Sequence, residues 1–298
     1  MSQASLPATP AAFRLSLPDD AATTPLVLDS PHSGTRLPPG FETLATRAQQ
    51  LTAWDAFIPD LWRGAVVAGA CLVEAEFARI VIDPNRAIDD IDPALIAGTW
   101  PTAWGELAPT RYSERGMGLI RHLILPGQPM YASPLAPQEI RQRIDQLYTP
   151  YHRALTDQLD ALHKQFGAVW HIDCHSMKSQ ANAMNIDLGR PRPDIVLGDL
   201  DGTSCAAEFT DLVEAELRAC GYSVARNQPY KGGDIVRRHG DPAQGRHSLQ
   251  IEINRALYLD EARFEPSAGY SELQRNLSRV SEAITTDLRA RITTGPNR

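Results

Sequence analysis

The sequence has no CxxC pair, no basic run and no long apolar stretch. The apolar runs stay well short of the roughly 18 residues of a membrane span. The first residues also lack the basic and apolar regions of a signal peptide. Scattered cysteines argue against a cysteine zinc site and a disulfide framework; they are Cys71, Cys174, Cys205 and Cys220. We therefore expect a cytoplasmic protein without membrane contacts.

Positive charge is in the minority. The 298 residues include 29 lysines and arginines against 36 aspartates and glutamates, which gives a formal net charge of −7. An acidic chain without a basic run is poorly suited to the phosphate backbones of DNA or RNA, so we expect no nucleic-acid partner. The length allows one large domain or two small ones, and the 43% of hydrophobic residues can form a substantial core.

Apolar segments of strand length alternate with segments of helical periodicity. Strand-like runs lie at 26–28, 71–83, 169–177, 194–199, 222–227 and 248–260, and helical ones at 44–70, in two pieces, 136–167, 204–219 and 270–292. Several strands are continuously apolar, which indicates an α/β fold with a largely parallel sheet that helices cover on both faces. Residues 87–134 show little periodicity, and such long irregular segments are usually functional.

Polar residues collect where the predicted strands end. In open α/β sheets, ligands bind at the carboxyl ends of the strands, so we predict the functional site at this edge. The residues concerned are His32, Asp83, Asn85, Arg86, Asp173, His175 and Glu252.

The segment VWHIDCHSMKS, residues 169–179, places His171, Asp173 and His175 on one face of a predicted strand. Burying an unpaired polar group costs about 1–3 kcal/mol, so all three need partners. We predict that His171 hydrogen-bonds within the sheet and that His175, at the mouth of the strand, is functional.

His32 in SPHSG and Asp55 in AWDAF complete a set with His175. Two histidines and a carboxylate are the ligands of a catalytic zinc that keeps a fourth position for water. The spacing is not that of a compact HExxH motif. From the pattern alone, a helix N-cap is an equally good interpretation of Asp55.

Glu252 lies in the apolar stretch SLQIEIN, where alternation sends Leu249, Ile251 and Ile253 to the opposite face. A carboxylate in such a strand must be paired or carry a raised pKa. The first case predicts an ion pair with an arginine, and the second predicts a general base acting on water.

Arg86 follows an apolar segment, and its guanidinium can bind a carboxylate in bidentate fashion. The alternative is a salt bridge to Asp83. Further on, YKGGDIVRRHG places Lys231 and two glycines in a loop, followed by Arg237. This segment is not a phosphate-binding loop, because the GxxxxGK[ST] pattern is absent.

Together these motifs resemble the N-formylglutamate amidohydrolase family. PHSG, VIDPNR, DCHS, KGG, GRHSLQIE and LYLDE occur in the family's order and approximate spacing, from about residue 26 to residue 261. The family is similar in turn to zinc carboxypeptidases and aspartoacylases, which have a central mixed sheet between helices. The resemblance implies one catalytic domain over residues 1–298, with 1–12 flexible. It also implies a metal-dependent amidohydrolase of amino-acid catabolism, in histidine degradation.

By this resemblance, the substrate is a small N-acyl amino acid, N-formyl-L-glutamate or a close analogue, and the cofactor is one divalent metal, zinc. Glu252 resembles the glutamate that activates water, and we assign Arg79 to the oxyanion. The metal ligands implied are His32, Asp55 and His175.

The resemblance also assigns the substrate contacts. Asn85 and Arg86 look like the pair that grips a substrate carboxylate, and we add Lys231 and Arg237 as pocket residues. The chain departs from the family at Pro84, where leucine is common, and over residues 234–239, which we expect to form a loop. Two alternatives therefore stay open: a metallopeptidase or deacylase for another acyl group, and a non-enzymatic protein that binds metal or amino acid. We expect a monomer or small homo-oligomer.

Overall fold

The computed structural model describes residues 11–185 and 187–294 of the chain. Most of the segment expected to be flexible, residues 1–10, lies outside the described residues. Ala12, at its end, is buried, and its carbonyl accepts a hydrogen bond from the Glu76 N–H at 3.1 Å. None of the described helices has the length and apolar character that a membrane span needs.

The secondary structure alternates much as the sequence predicts. The strands are β1 (Phe13–Ser16), β2 (Leu26–Ser30), β3 (Cys71–Ala75), β4 (Leu123–Leu125), β5 (Gln128–Pro129), β6 (Val169–Met177), β7 (Ile195–Gly198), β8 (Val224–Arg226), β9 (Arg246–Asn254), β10 (Leu259–Asp260) and β11 (Glu265–Pro266). The helices are α1 (Arg47–Leu51), α2 (Ile58–Leu61), α3 (Arg63–Ala68), α4 (Pro137–Arg143), α5 (Thr149–Phe166), α6 (Ala207–Ala219), α7 (Asp234–His239) and α8 (Tyr270–Thr294).

Seven of the described strands form one sheet in the order β1-β3-β2-β6-β9-β7-β8. Strands β3, β2, β6 and β9 run parallel, and β1 is antiparallel to β3 at one edge. At the other edge, β7 is antiparallel to β9 and parallel to β8. The predicted α/β fold with a mostly parallel mixed sheet is confirmed.

Both faces of the sheet are buried. Val27 and Val169 belong to the apolar cluster that includes α5, whereas Leu28 and Ile172 belong to the cluster that includes α2, α3, α6 and α8. Side chains on successive strand residues point to opposite faces. A strand covered on both faces therefore needs apolar residues in succession, which explains the unbroken apolar runs.

The predicted helix over 136–167 is interrupted. Between α4 and α5 the residues Ile144–Tyr148 form one wide turn of π-helix. Pro150 follows this turn and has no N–H to donate to the carbonyl four residues earlier. The proline therefore ends the regular hydrogen-bond ladder at the place where the sequence predicts a bend.

Two sequence predictions of local structure are wrong. The apolar run before Asp83 does not form a strand beyond β3: the Val81 N–H bonds to the Ala78 carbonyl in a turn, and the Asp83 N–H bonds to the Leu119 carbonyl. Ile82 is fully buried without a strand partner, and apolar periodicity alone cannot separate the two cases. Residues 234–239, expected in a loop, form α7.

Candidate active site

The site lies at the carboxyl ends of the neighbouring parallel strands β2, β6 and β9. His32 follows β2 in a turn. His175 and Glu252 are directly paired in the register of β6 and β9, so their side chains lie on one face. Asp55 comes from the connection between α1 and α2, where its N–H donates to the His32 carbonyl at 3.0 Å. The fold thus brings four residues distant in sequence to one edge of the sheet.

Asp55 lies between the two histidine rings. Its Oδ2 is 3.4 Å from His32 Nδ1 and 3.1 Å from His175 Nδ1. One ligand atom from each residue lies within 4.8 Å of the others, and all three residues are buried. The predicted convergence is confirmed, and this group could hold a metal ion.

A carboxylate lies behind each ring. His32 Nε2 is 2.7 Å from Asp83 Oδ1, and His175 Nε2 is 2.7 Å from Asp173 Oδ1. Histidine ligands of metals usually have such a carboxylate at the second nitrogen, where it fixes the ring and its tautomer. Within the described residues, His32 Nδ1 is buried and has no hydrogen-bond partner. A buried nitrogen that lacks a partner beside a carboxylate and a second imidazole fits a cation.

Arg255 fixes the orientation of Asp55. Its Nη2 donates to Asp55 Oδ1 at 3.0 Å, and its Nε donates to Ser176 Oγ at 3.0 Å. The same guanidinium also binds the Trp54 carbonyl at 2.6 Å. Asp55 caps no helix, because α2 begins at Ile58. The N-cap interpretation of Asp55 is therefore wrong.

Two of the three groups have the ionisation that cation binding requires. Burial opposes ionisation of Asp55, but the hydrogen bond from His175, the nearby His32 ring and the charge of Arg255 hold its pKa well below the usual range. Burial, together with the charge of Arg79, lowers the pKa of His32. For His175, the charge of Asp173 and its hydrogen bonds to carboxylates outweigh burial and raise the pKa. Metal ligands must be deprotonated, so Asp55 and His32 are in the required state, whereas a bound cation would displace a proton from His175.

His171, near the start of β6, hydrogen-bonds within the sheet as predicted. Its Nε2 lies 3.0 Å from Asp29 Oδ1 and its Nδ1 lies 2.8 Å from Ser248 Oγ. Tyr151 donates to the second Asp29 oxygen at 2.6 Å. Both ring nitrogens of His171 are therefore occupied by protein partners.

Glu252 lines the cavity beside this group. Its Oε1 accepts a hydrogen bond from Gln250 Nε2 at 3.1 Å, and within the described residues it forms no ion pair. The predicted alternative of an arginine partner is therefore wrong. Burial, reinforced by the negative charges of Asp55 and Asp173, raises the pKa of Glu252 to about 7. A carboxylate with a pKa near the working pH is suited to proton transfer.

The cavity is small and rich in cations. Its volume is about 160 Å³, below the roughly 300 Å³ of pockets for drug-sized ligands. Such a cavity suits a small anionic molecule. The cationic residues that line it are Arg79, Arg86, Arg115, Arg121, Lys178, Arg192, Lys231 and Arg255.

Both the nitrogen and the oxygen of the Asn85 side-chain amide form hydrogen bonds within the protein. Nδ2 donates to Asp173 Oδ2 at 3.1 Å, and Oδ1 accepts the Ile235 N–H at 2.9 Å. Gly233 packs so closely that a Cβ there would lie 2.3 Å from Asn85 Oδ1. This contact explains the second glycine of the KGG motif. The amide supports Asp173, which in turn supports His175.

Arg86 is held by the backbone and faces the cavity. Nε donates to the Met117 carbonyl at 3.0 Å, Nη1 donates to the Asn85 carbonyl at 2.7 Å, and the guanidinium lies 4.1 Å from the centre of the Tyr112 ring. The predicted alternative, a salt bridge from Arg86 to Asp83, does not form. Asp83 pairs instead with Arg79.

The two remaining pocket candidates lie in different places. Lys231 lines the cavity, with Nζ 2.5 Å from Asp201 Oδ2. Arg237 is not among the residues that line the cavity; its side chain is 64% exposed and pairs with Asp234 one helical turn earlier. The structure does not bring Arg237 to the site, because α7 turns this side chain outward.

Arg121 and Arg255 are among the site residues that the sequence analysis missed. Arg121 lies in the apolar run MGLIRHLIL, residues 117–125. A charge inside an apolar run needs a partner, which is the criterion that selects Glu252. Arg255 follows β9 directly, at the edge where the other site residues lie.

The sequence profile of N-formylglutamate amidohydrolases matches residues 24–259. The chain belongs to the N-formylglutamate amidohydrolase family. It is 34% identical over 260 residues to the N-formylglutamate deformylase of Pseudomonas aeruginosa, with 86% of this chain and 90% of that relative covered. The N-formylglutamate deformylase of Pseudomonas putida is 32% identical over 241 residues, with 80% and 82% covered. These matches confirm the assignment made from six short motifs.

Solved structures agree with the family. The crystal structure of N-formylglutamate amidohydrolase from Ralstonia eutropha JMP134 is 42% identical and superposes with a TM-score of 0.89, covering 94% of this chain and 99% of that one. A gene product of Agrobacterium tumefaciens, 20% identical with a TM-score of 0.61 and coverage of 94% and 96%, shares the fold.

Proposed function

We propose that this member of the N-formylglutamate amidohydrolase family hydrolyses N-formyl-L-glutamate to formate and L-glutamate. The cofactor is one zinc ion held by His32, Asp55 and His175. The observation that carries the proposal is the convergence of these three ligand atoms within 4.8 Å, beside Glu252, in a cavity lined by cations. The choice of N-formyl-L-glutamate as substrate is supported by the similarity to the N-formylglutamate deformylases of the two Pseudomonas species.

A zinc ion bound there supplies Lewis acidity toward the amide carbonyl and the attacking water. Glu252 takes one proton from the water as the oxygen bonds to the formyl carbon. The same carboxyl then gives that proton to the amide nitrogen as the C–N bond breaks. Formate and a free amino group result. The raised pKa of Glu252 lets it both accept and release this proton near neutral pH.

Arg79 stabilises the developing oxyanion. Its guanidinium lines the cavity and is held in place by Asp83, which also contacts His32. Preorganised positive charge at a developing oxyanion lowers the barrier. Arg86 binds the α-carboxylate with the part of its fork that the backbone carbonyls leave available, and Lys231 adds positive charge at the wall of the same cavity.

Other functions fit the site less well. A cavity of about 160 Å³ is small for a peptide or a long acyl chain. A non-enzymatic binding protein has no use for a carboxyl with a pKa of about 7 beside three ligand atoms. We also propose that the catalytic unit is a single domain spanning the whole chain, and that it works in the cytoplasm in histidine degradation.

A substrate panel tests the proposal. Zinc-loaded protein is incubated with N-formyl-L-glutamate, N-acetyl-L-glutamate and the dipeptide Ala-Glu, and release of the free amino group is measured. We expect N-formyl-L-glutamate to have the highest kcat/KM. A higher value for the acetyl compound or the dipeptide would favour a deacylase or a peptidase. Bound zinc without turnover of any compound would favour a binding protein.

A further inference from the structure

Arg121 is a buried cation without a counter-charge. The residue is 8% exposed and lines the cavity. Its Nε is buried and has no hydrogen-bond partner, and the side chain forms no ion pair with any described residue. The guanidinium stays charged at neutral pH, because its pKa, although lowered, is still about 9. A lone buried charge costs several kcal/mol, so the site calls for an anion.

Several other cations of the cavity already have acidic partners. Each of three arginines binds a carboxylate of the protein: Arg79 binds Asp83, Arg192 binds Asp187 and Arg255 binds Asp55. Arg86 is held only by backbone carbonyls and an aromatic ring. Two other cations of the cavity also lack an acidic partner within the described residues, but Arg115 is exposed to solvent and Lys178 carries an ammonium rather than a guanidinium fork. Arg86 and Arg121 are therefore the two guanidinium groups in this small cavity that are at least partly shielded from solvent and have no acidic partner within the described residues.

The charges around Arg121 add to this imbalance. Burial, and after it the like charges of Arg79 and Arg86, lower the pKa of Arg121 to about 9, and Asp83 and Asp55 compensate only in part. The charge missing from this part of the cavity is therefore negative. A substrate with one carboxylate satisfies one of the two free guanidinium groups, whereas a dicarboxylate satisfies both.

We propose that Arg121 binds the side-chain carboxylate of the substrate while Arg86 binds its α-carboxylate. Arg121 thereby makes the enzyme selective for dicarboxylic N-formyl amino acids. The inference rests on the proposed function and adds the residue that determines its specificity. A guanidinium matches a carboxylate in bidentate geometry, and truncating one member of a buried charge pair weakens the interaction by about 10²-fold.

Two carboxamide analogues separate the two arginines. N-formyl-L-glutamine lacks only the side-chain carboxylate, and N-formyl-L-isoglutamine lacks only the α-carboxylate. We expect wild-type kcat/KM to be about 10²-fold lower for each analogue than for N-formyl-L-glutamate. Arg121→Met should lower the value for N-formyl-L-glutamate by about 10²-fold and leave that for N-formyl-L-glutamine nearly unchanged. Arg86→Met should instead lower kcat/KM for N-formyl-L-glutamate and leave the value for N-formyl-L-isoglutamine nearly unchanged.

Controls separate recognition from folding. Arg153→Met removes the same charge from an exposed position on α5, where the side chain pairs with Asp157, and should keep the wild-type preference. Arg121→Lys keeps the charge without the fork and should retain part of the preference, which covers the case in which Arg121→Met does not fold. Equal losses for the acid and its side-chain amide in Arg121→Met would overturn the proposal. The proposal would also be overturned if Arg121→Met no longer distinguished N-formyl-L-glutamate from N-formyl-L-isoglutamine.

A binding measurement keeps this result distinct from the proposed function. Thermal unfolding is followed with glutarate, which has two carboxylates, and with butanoate, which has one. We expect glutarate to raise the wild-type midpoint more than butanoate does, and Arg121→Met to remove the difference. This outcome supports the dicarboxylate site even if no N-formyl compound is hydrolysed. No difference between the two acids in the wild type would contradict it.

Discussion

Arg255 donates to one oxygen of Asp55 at 3.0 Å and leaves the other oxygen facing two histidine rings. Without this bond the carboxylate could rotate away from the metal position. Arg255→Met should therefore lower zinc affinity by about 10–100-fold, as is typical when a supporting partner of a metal ligand is lost. Competition with a chelator measures the affinity. The exposed Arg263 offers the control Arg263→Met, and unchanged affinity in Arg255→Met would contradict the prediction.

Removal of the metal should abolish turnover without unfolding the chain. The apolar clusters on the two faces of the sheet do not include the three ligands. Dialysis against a chelator should leave the far-ultraviolet circular dichroism unchanged, and added zinc should restore the activity. His175→Asn should lower the zinc content, measured by elemental analysis, from one to well below one per chain. Activity that survives complete removal of the metal would refute the assignment.

Glu252→Gln tests the general base, because the change keeps the shape of the side chain and removes its ability to take a proton. We expect kcat to fall by about 10²–10⁴-fold while zinc content and melting temperature stay near wild type. A structural carboxylate would instead show a loss of about 3–5 kcal/mol in the free energy of unfolding. Glu265→Gln, at an exposed position in β11, is the matched control.

Gly233→Ala should disturb the metal site from a distance. The new Cβ would lie 2.3 Å from Asn85 Oδ1, so the amide must move away from Asp173. Overpacking of this kind costs typically about 1–3 kcal/mol, and we expect a lower melting temperature together with weaker zinc binding. Differential scanning calorimetry with and without zinc measures both effects. A variant with wild-type stability and affinity would show that Asn85 does not position His175.

Acid should destabilise the fold through His152. Its Nε2 lies 2.9 Å from the Pro84 carbonyl, and its buried Nδ1 has no partner within the described chain. Burial, with the charge of Arg238, lowers the pKa of His152 from 6.5 to about 4. Between pH 6.5 and about pH 4, His152 binds a proton in the unfolded chain but not in the folded chain. The free energy of unfolding therefore decreases as the pH decreases below about 6.5. At pH 5 this group has lowered it by about 2 kcal/mol relative to high pH.

The matching measurement compares melting temperatures at pH 7 and pH 5. His152→Gln has no group that titrates in this range, so its melting temperature should change less between the two pH values than that of the wild type. An equal change in both proteins would assign the acid sensitivity to other groups.

The sequence predicts the parts of the site that lie on regular strands. His175 and Glu252 follow the alternation of β6 and β9, so their shared face is visible in the pattern. Asp55 is different, because the contact that orients it comes from Arg255, 200 residues further along the chain. Local pattern cannot separate a ligand in a turn from a helix cap, and only the family motifs resolved that choice.

The substrate side of the cavity was harder to predict. Residues 87–134 have little periodicity, so nothing local indicates which of their charges points inward. Arg121 is buried and Arg111 is exposed, although both lie in this segment. Arg237 illustrates the opposite error: it lies close in sequence to a motif glycine, but the short helix α7 turns it toward solvent.

The three metal ligands come from a turn after β2, from the connection before α2 and from the end of β6. In the unfolded chain these three ligands lie far apart, so the complete site forms only when the chain has folded. Under the proposed assignment, the protein is made as a folded apoenzyme and is loaded afterwards through the cavity that also admits the substrate. The active fraction in a cell would then follow its zinc supply, and abundant substrate would compete with the metal for entry.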